Sequence, residues 1–559
     1  MRVYLGATSI WTGLGMGTEE NYAKMLRGES GLKMCEMPDL TDRPLPVQRV
    51  DAEAEDGLSR LETMMKKVVE DVVKKSGIET SSDRTGIIFS TTKGNIGELG
   101  IEKPEEGSRV YLQVMAERVG RAVGYRRRPI VVSNACISGV VAVVVAQRLI
   151  RAGRYDDVIV VGGDEVTDFT TSGFLSFKSV SERPCRPYDQ SRDGLSLGEA
   201  VGAIVVSRDA KKSAGIVVSG GAMSNDANHI SGPSRTGEPL AEAIEEAMRE
   251  AGVGADDISF INAHGTATVY NDEMESKAMN IAHLQAKPMN SLKPYIGHTL
   301  GASGVVEIAL AAEEMLRGEM LGTPGFETLG TPMPLNISSG NRKVEGRHCV
   351  KSASGFGGCN AAIVLSREDA SAETQETSDV KTKTLREVSI KDGKLSVDGK
   401  TIVESDGDFG ELAREIYHKL EPNMKFFKMT DMCKMGYLAA EYLLKDISYE
   451  PYEIGIVMWN KSSSLDADLQ HWRIQKRDNM PASPGAFVYT LANIVTGEIA
   501  IRHGIKGETT FFISDDRHDE ETERYARLLL SEGRYRYIVS GWCEMLEGQY
   551  ELELKIETI

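Results

Sequence analysis

The most constraining feature of this sequence is a long apolar segment that runs from Cys136 to Gly153 between two short apolar runs. The two runs, Ile130–Val132 and Val158–Val161, have the length and the β-branched composition of buried strands. The segment between them is too long for an ordinary strand, and Gly153 stands where a helix C-cap belongs, so we predict a helix from Cys136 to Ala152. A helix that is apolar nearly all round must be buried. The sequence therefore predicts a strand, a tight turn, a central helix and a strand.

This arrangement puts a thiol at the N-terminus of the central helix. The helix dipole and the free N–H groups of the first turn favour a thiolate there, and any oxyanion that forms beside it. A lone buried cysteine, however, is more often just a small apolar core residue. The assignment of Cys136 as a nucleophile therefore depends on what the rest of the chain supplies.

Composition restricts the partners and the compartment. With 559 residues, 41% of them hydrophobic, the chain can form several domains with large cores. The net charge of −18 argues against general nucleic-acid or anionic-membrane binding. The basic run Arg126–Arg128 is a candidate binding site for an acidic partner. Seven cysteines without a C-x-x-C pair indicate a reducing compartment. There is no signal-peptide pattern and no apolar run long enough to span a bilayer, so we expect a cytoplasmic protein.

Strands and helices alternate along residues 1–366, which is typical of a layered α/β fold. Three polar or glycine-rich stretches follow predicted strands: N-A-H-G-T-A-T-V-Y-N-D-E-M-E, L-K-P-Y-I-G-H-T-L-G-A-S-G and G-F-G-G-C-N-A-A. Folds of this class place their chemistry at strand ends and in the turns that follow. Each stretch alone is a weak signal, because a strand-end histidine or a glycine-rich turn is usually structural.

Together with N-A-C-I-S-G around Cys136, and in this order, these stretches resemble the motifs of the β-ketoacyl-acyl-carrier-protein synthases, of the elongating Cys-His-His type in the thiolase superfamily. The resemblance covers residues 1 to about 366. It implies a thiolase fold with αβαβα layers, made of two pseudo-repeated halves that we place at 1–209 and 210–366. It also implies a dimer as the usual assembly.

The resemblance assigns catalytic roles to four residues. Cys136 matches the nucleophile that carries the acyl chain as a thioester. His264 and His298 match the histidines that stabilise the charge formed when malonyl-carrier protein loses carbon dioxide. The backbone N–H groups of Cys136 and Phe356 would hold the oxyanion of the thioester step. Phe356 also matches a gate residue between the acyl chain and the malonyl site.

Further residues match supporting positions of the family. Lys293 and Glu275 match the lysine and glutamate that organise charge around the histidines, and Thr266 and Thr268 match threonines that contact the phosphopantetheine arm. The resemblance implies no bound cofactor and no metal, because the phosphopantetheine arrives on an acyl carrier protein. The expected partners are that carrier protein and either a second copy of the chain or another ketosynthase-like subunit.

The implied activity is decarboxylative Claisen condensation of an acyl thioester on Cys136 with malonyl-acyl-carrier protein, in fatty acid or specialised polyene or polyketide-type lipid synthesis. A non-elongating thiolase-fold acyltransferase and a chain-length-factor-like partner subunit are alternatives. A degradative thiolase would need a second catalytic cysteine, for which Cys359 is superficially placed. A starter-type synthase would carry asparagine where His298 stands, and a chain-length factor would lack the nucleophile.

The rest of the chain resembles a degenerate half-copy of the same unit. Residues 367–385 are polar and indicate a linker, and two Asp-Gly turns predict a β-meander at 386–404. Within 405–559, L-L-L-S-E-G-R-Y-R-Y-I-V-S-G aligns with R-L-I-R-A-G-R-Y-D-D-V-I-V-V, which puts Asp516 opposite Cys136. We expect a folded, non-catalytic module. Because a half unit leaves a sheet face and an edge to cover, it should dock on the catalytic domain, a second copy or a separate partner.

Overall fold

Residues 1–366 consist of two similar halves, and the first of them, residues 1–209, forms a mixed sheet with helices on both faces. A computed structural model describes residues 1–372, 380–476 and 481–559 of the protein, so the predicted linker lies partly outside the described residues. The strands of this half are β1 Tyr4–Thr12, β2 Gly15–Met16, β3 Lys33–Cys35, β4 Leu45–Gln48, β5 Thr85–Ser90, β6 Ile130–Val132, β7 Asp157–Asp164, β8 Leu197–Gly198 and β9 Ala200–Ser207. Its helices are α1 Thr18–Leu26, α2 Arg60–Ser76, α3 Leu112–Ala122, α4 Ser138–Arg151 and α5 Asp168–Ser176. The strand order is β6-β5-β7-β9-β1, with β5 parallel to both its neighbours and β9 antiparallel to both.

The second half repeats this topology strand for strand. Its strands are β10 Ile216–Asn225, β11 Phe260–Asn262, β12 Pro288–Asn290, β13 Glu319–Met320, β14 Asn336–Ile337, β15 Arg342–Lys343, β16 His348–Gly355 and β17 Cys359–Arg367. Its helices are α6 Glu238–Ala251, α7 Val269–Ile281, α8 Lys293–Ile296 and α9 Ser303–Arg317. The order β12-β11-β16-β17-β10 has the same pattern of parallel and antiparallel pairs as the first half. The two halves expected from the sequence are therefore present.

Helices α4 and α9 form the central layer between the two sheets, and α2 and α6 lie on the outer faces. Every residue of α4 is buried, as its apolar sequence predicts. The two central helices touch through glycine: a Cβ on Gly139 would lie 2.6 Å from the backbone nitrogen of Val305. The predicted helix start differs slightly, because Cys136 lies in a 3₁₀ turn, Ala135–Ile137, that precedes α4. Ala135 has a φ of 48°, since the chain reverses sharply between β6 and the helix.

The C-terminal module repeats the topology of the first half. Its strands are β18 Lys383–Lys391, β19 Lys394–Val397, β20 Lys400–Glu404, β21 Ile454–Asn460, β22 Thr509–Ile513, β23 Tyr537–Leu546 and β24 Gln549–Thr558. Its helices are α10 Phe409–Tyr417, α11 Asp431–Leu443, α12 Leu465–Lys476, α13 Pro484–Val488, α14 Ile494–His503 and α15 Glu520–Ser531. The order β22-β21-β23-β24-β18 matches β6-β5-β7-β9-β1. The predicted meander is present as the antiparallel strands β18-β19-β20. It is part of the module's sheet, because β18 also pairs along β24 and is the module's counterpart of β1.

Strand register supports the equivalence of Asp516 with Cys136. Ile130 pairs with Ile88 in the first half, and Thr510 pairs with Val457 in the module. Ile88 lies two residues after Gly86, and Val457 lies two residues after Gly455, at the start of the two similar strands. Thr510 therefore takes the place of Ile130. Six residues further along each chain segment stand Asp516 and Cys136.

The module docks on the N-terminal half of its own chain's paired unit, residues 1–366, by extending the first sheet. Strand β22 pairs antiparallel with β6, with Phe512 opposite Val132 and Ile513 opposite Val131. Because Phe512 is the module's counterpart of Val132, the junction has the register of a two-fold contact between equivalent strands. The module thus occupies the place that a second copy of the first half would take.

The basic run Arg126–Arg128 meets an acidic partner within the same chain. The Arg128 guanidinium lies 3.0 Å from a carboxylate oxygen of Asp515 and 3.4 Å from one of Asp519. Arg127 instead binds backbone carbonyls of residues 82, 83 and 85. Of this patch, Arg128 therefore serves the junction with the module. Within the described ranges, we find no helix with both the length and the apolar character needed to cross a membrane.

Candidate active site

A cavity of about 370 Å³ opens at the carboxyl ends of the parallel strands of both halves. Six of the residues that the sequence singles out line it: Cys136, His264, His298, Phe356, Thr266 and Thr268. Each follows a strand, since Cys136 comes after β6, the histidines after β11 and β12, and Phe356 after β16. Because the halves face each other across α4 and α9, turns far apart in sequence meet at one place.

Cys136 and His298 are in direct contact. The Nε2 atom of His298 lies 3.0 Å from the Cys136 sulfur, and its Nδ1 lies 3.3 Å from the hydroxyl of Ser303. A hydroxyl that donates to Nδ1 leaves the imidazole proton on Nε2, which faces the sulfur. His264 completes the group, with its ring centroid 5.4 Å from that of His298 and the ring planes nearly perpendicular.

Burial controls the protonation of this group. It raises the pKa of the Cys136 thiol to about 12, although the positive charge of Lys293 opposes the shift. Desolvation therefore acts against the thiolate that the helix N-terminus is expected to favour. Burial also lowers the pKa of both His264 and His298 well below its usual value, and the charge of Lys293 adds to the effect. Both imidazoles are neutral hydrogen-bonding groups at neutral pH.

Lys293 lies beneath the histidines rather than in the cavity, and its partner is Glu307. The ammonium of Lys293 lies 2.8 Å from one carboxylate oxygen of Glu307, and that of Lys351 lies 2.6 Å from the other. All three side chains are almost completely buried. The two cations lower the pKa of Glu307 despite its burial, so the carboxylate stays ionised between them.

Glu275 organises the backbone of the histidine loop. Its carboxylate accepts hydrogen bonds from the backbone N–H groups of His264 and Gly265, at 2.8 and 2.9 Å. The hydroxyls of Tyr188 and Ser352 also donate to it, at 2.7 and 3.0 Å. The expected role of Glu275 beside Lys293 thus needs correction: it fixes the turn that carries His264, whereas Glu307 is the counter-ion of the lysine.

The glycine-rich turn closes the site on the side of Cys136. A Cβ on Gly355 would lie 3.2 Å from the backbone nitrogen of Cys136, so a larger residue would crowd Cys136. The ring of Phe356 stacks on that of Phe174, with centroids 6.1 Å apart, and lies 5.3 Å from that of Phe177. These three rings give the cavity an aromatic wall suited to an apolar chain.

Two threonines supply polar groups to the cavity wall. The hydroxyls of Thr266 and Thr268 lie 2.9 Å apart on the cavity wall and provide polar contacts beside the histidines. Cys359 does not line the cavity; its thiol donates to the carbonyl of Phe356 at 3.3 Å. Cys359 is therefore not the second cavity cysteine that a degradative thiolase requires.

Comparisons with known proteins agree with these features. The model of the β-ketoacyl synthase N-terminal domain matches residues 9–212, and that of the C-terminal domain matches residues 215–327. A 3-oxoacyl-[acyl-carrier-protein] synthase 2 of Rhizobium meliloti is 30% identical over 423 aligned residues, covering 66% of this chain and 99% of the relative. The chain belongs to the β-ketoacyl synthase family. The resemblance of the four motifs and the expected synthase class are thereby confirmed.

Solved structures extend the similarity to the module. The ketosynthase ApeO in complex with its chain length factor ApeC, from Xenorhabdus doucetiae, matches with a TM-score of 0.58 and 25% identity over 66% of this chain and 98% of that one. The PfaC ketosynthase–chain length factor matches with a TM-score of 0.82 and 14% identity over 100% of this chain and 78% of that one. The thiolase-type fold is therefore confirmed, and this β-ketoacyl synthase has, module included, the fold of the PfaC pair.

Sequence reasoning missed Glu307 and Lys351. Glu307 interrupts the apolar run V-V-E-I-A-L of α9, and Lys351 interrupts the buried strand β16. A charge inside an otherwise apolar element was the available signal, since buried charges are paired or functional. Which charges pair could not be read, because Lys293, Glu307 and Lys351 come from three separate elements.

Proposed function

We propose that this β-ketoacyl synthase condenses an acyl group on Cys136 with malonyl-acyl-carrier protein by decarboxylative Claisen chemistry. The observation that carries the proposal is the contact of the Cys136 sulfur with Nε2 of His298, at 3.0 Å, in a cavity that His264 also lines. A nucleophile and two neutral imidazoles that can stabilise developing negative charge are the groups that this reaction requires, and the aromatic wall suits an apolar acyl chain.

In the first half-reaction the Cys136 sulfur attacks the thioester carbonyl of an acyl-carrier protein. The carbon–sulfur bond to the phosphopantetheine arm breaks, the arm leaves as a thiol, and the acyl group remains on Cys136. The thiol proton of Cys136 passes to the departing sulfur, so that the arm leaves as a neutral thiol. Backbone N–H groups of Cys136 and Phe356 hold the oxyanion of the tetrahedral intermediate.

In the second half-reaction a malonyl group enters on its phosphopantetheine arm beside Thr266 and Thr268. Its carboxylate leaves as carbon dioxide, and the electron pair of the broken bond moves onto the thioester, giving an enolate whose oxygen accepts hydrogen bonds from His264 and His298. The enolate carbon attacks the acyl thioester on Cys136. The Cys136 sulfur then leaves as a thiolate and takes up a proton from solvent, and the β-ketoacyl product remains on the carrier.

We assign the C-terminal module the part of a built-in chain-length factor. The match of the whole chain to the fold of the PfaC ketosynthase–chain length factor supports this assignment. So does the place of Phe487, whose ring lies 5.5 Å from that of the cavity residue Phe174. The module thereby contributes to the aromatic end of the cavity. The residue at the Cys136 position is Asp516, so the module itself carries no acyl group.

The test is intact-mass analysis of the full chain after incubation with a panel of acyl-carrier proteins. We expect a mass increase equal to one acyl group, absent in Cys136→Ala and present in Cys359→Ala, which removes a buried thiol outside the cavity. Acylation of Cys136→Ala would overturn the assignment of the nucleophile. Carbon dioxide release from malonyl-carrier protein by the acylated wild type, but no β-ketoacyl product, would overturn the condensation.

A further inference from the structure

The module reaches the active site through the start of α14. Asn493, the residue before this helix, is 1% exposed, and its side-chain N–H₂ donates to the carbonyl of Phe356 at 2.8 Å. The same group lies 3.6 Å from the Cys359 sulfur. The carbonyl that it binds belongs to the residue whose ring lines the cavity and whose N–H we assign to the oxyanion.

The backbone around this contact leaves no room for another arrangement. A Cβ on Gly497, one turn along α14, would lie 2.7 Å from the carbonyl oxygen of Gly357. A Cβ on Gly357 would lie 2.5 Å from the Asn493 side-chain nitrogen, and Gly357 has a φ of 90° that favours glycine. The helix and the turn therefore pack backbone against backbone, with Asn493 as the polar group between them.

The catalytic domain holds the other side of the same turn. The N–H of Gly357 donates to the carbonyl of Ile230 at 2.6 Å, and the side chain of Asn225 donates to the carbonyl of Gly357 at 2.9 Å. The Phe356 carbonyl has the Cys359 thiol, a weak donor, and the Asn493 amide as its partners in the described structure. The strong hydrogen bond on Phe356 thus comes from the module.

We propose that Asn493 is a positioning residue for the Phe356 turn, so that the module completes the oxyanion site of a catalytic domain to which it contributes no catalytic residue. The inference rests on the proposed function. A hydrogen bond to this carbonyl holds the Phe356–Gly357 peptide in place, and with it the position of the residue whose ring and N–H lie beside Cys136. Catalytic geometry is sensitive at this scale: a displacement of about 1 Å can cost about 100-fold in rate.

The test compares Asn493→Ala and Asn493→Asp with the wild-type full chain. Asn493→Asp keeps the shape but replaces the donor with a carboxyl oxygen, so it separates hydrogen bonding from packing. We expect the single-turnover rate of Cys136 acylation to fall between about 10-fold and about 100-fold in both. Carbon dioxide release from malonyl-carrier protein, which depends on the histidines, should stay near the wild-type rate.

The matched control is Asn460→Ala. Asn460 is another buried asparagine of the module, and its side chain bonds to the backbone of Ser463 within the module itself. It should lower thermal stability without separating the two half-reactions. Wild-type acylation rates in a folded Asn493→Asp, or equal losses in both half-reactions, would overturn the proposal. A wild-type chain that is not acylated at Cys136 would instead refute the proposed function, whatever Asn493 does.

Discussion

At the scale of single residues, the chemistry of the site is set by charges that the cavity does not contain. Lys293 and Lys351 share Glu307 beneath the two histidines, and both cations help to keep the imidazoles neutral. A neutral imidazole can donate from one ring nitrogen and accept at the other. Cys136, His264 and His298 could be predicted from their motifs, whereas the buried charges could not, because their pairing exists only after three elements have packed.

The lowered histidine pKa values predict an unusual pH profile. A lowered pKa means that the imidazole stays neutral at pH values below its ordinary pKa of about 6.5. Acidification to about pH 5.5 should therefore leave the rate of malonyl decarboxylation unchanged. The measurement is carbon dioxide release from malonyl-carrier protein between about pH 5.5 and about pH 8. A loss of rate with a midpoint near the ordinary imidazole pKa, while the protein stays folded, would contradict this account.

At the scale of elements, the module copies the first half, but its helix α15 has a more polar surface than the equivalent helix α4. Helix α4 is buried on every side between two sheets, whereas its counterpart α15 carries half-buried charges such as Glu521, Arg524 and Arg527. A module without a second half has no second sheet to cover α15, and the sequence supplies a polar face instead. The expectation that a sheet edge needs a partner is met by β6, which pairs with β22.

The alignment of repeats could be predicted from sequence, but the contacts of α13 and α14 with the site could not. Helix α14 precedes β22 and packs on α11 as α3 precedes β6 and packs on α2. The segments that reveal the repeat in the sequence do not include it, so nothing pointed to Phe487 or Asn493. The same limit applies to the meander, because Asp-Gly turns predict hairpins but not the larger sheet that a strand joins.

Helix α13 carries a prediction for product length. The ring of Phe487 packs over Gly173, where a Cβ would lie 2.2 Å from it, and contacts Phe174 on the cavity wall. Phe487→Ala removes this bulk, so we expect longer products with little change in the Cys136 acylation rate. Mass spectrometry of carrier-bound products checks it. As a control, Phe426→Ala removes a ring that packs within the module; the same lengthening in both variants would contradict a local effect.

The turn after β22 carries a second prediction. Asp516 stands at the Cys136 position and lies 3.5 Å from the Arg128 guanidinium, with both side chains substantially exposed. An exposed pair of this kind contributes at most about 1 kcal/mol. Asp516→Asn should therefore leave condensation essentially unchanged and stability nearly so. Turnover assays and thermal melting test both points, and loss of turnover in a folded variant would reveal a second active site.

At the scale of the whole molecule, one chain builds what two equivalent units would otherwise build by association. Strand β6 pairs with β22 in the register of a two-fold contact, so this edge is closed to a second copy of the chain. Buried charges cross the same junction: Lys93 lies 2.5 Å from Asp468, and Arg148 lies 2.8 Å from Glu508. The expectation of a dimer is therefore replaced, at this edge, by an internal partner.

Truncation after Arg367 tests this architecture. It removes β22 from the edge of β6 and takes away the carboxylates that pair with Lys93 and Arg148. We expect the truncated protein to melt at a lower temperature and to self-associate through the exposed edge, as light scattering would detect. Residues 380–559 supplied as a separate chain should restore a discrete complex, because the pairing of β22 with β6 defines how the two pieces fit together. A truncated protein that stays monomeric, with the melting temperature and products of the full chain, would show that the module is a passive appendage.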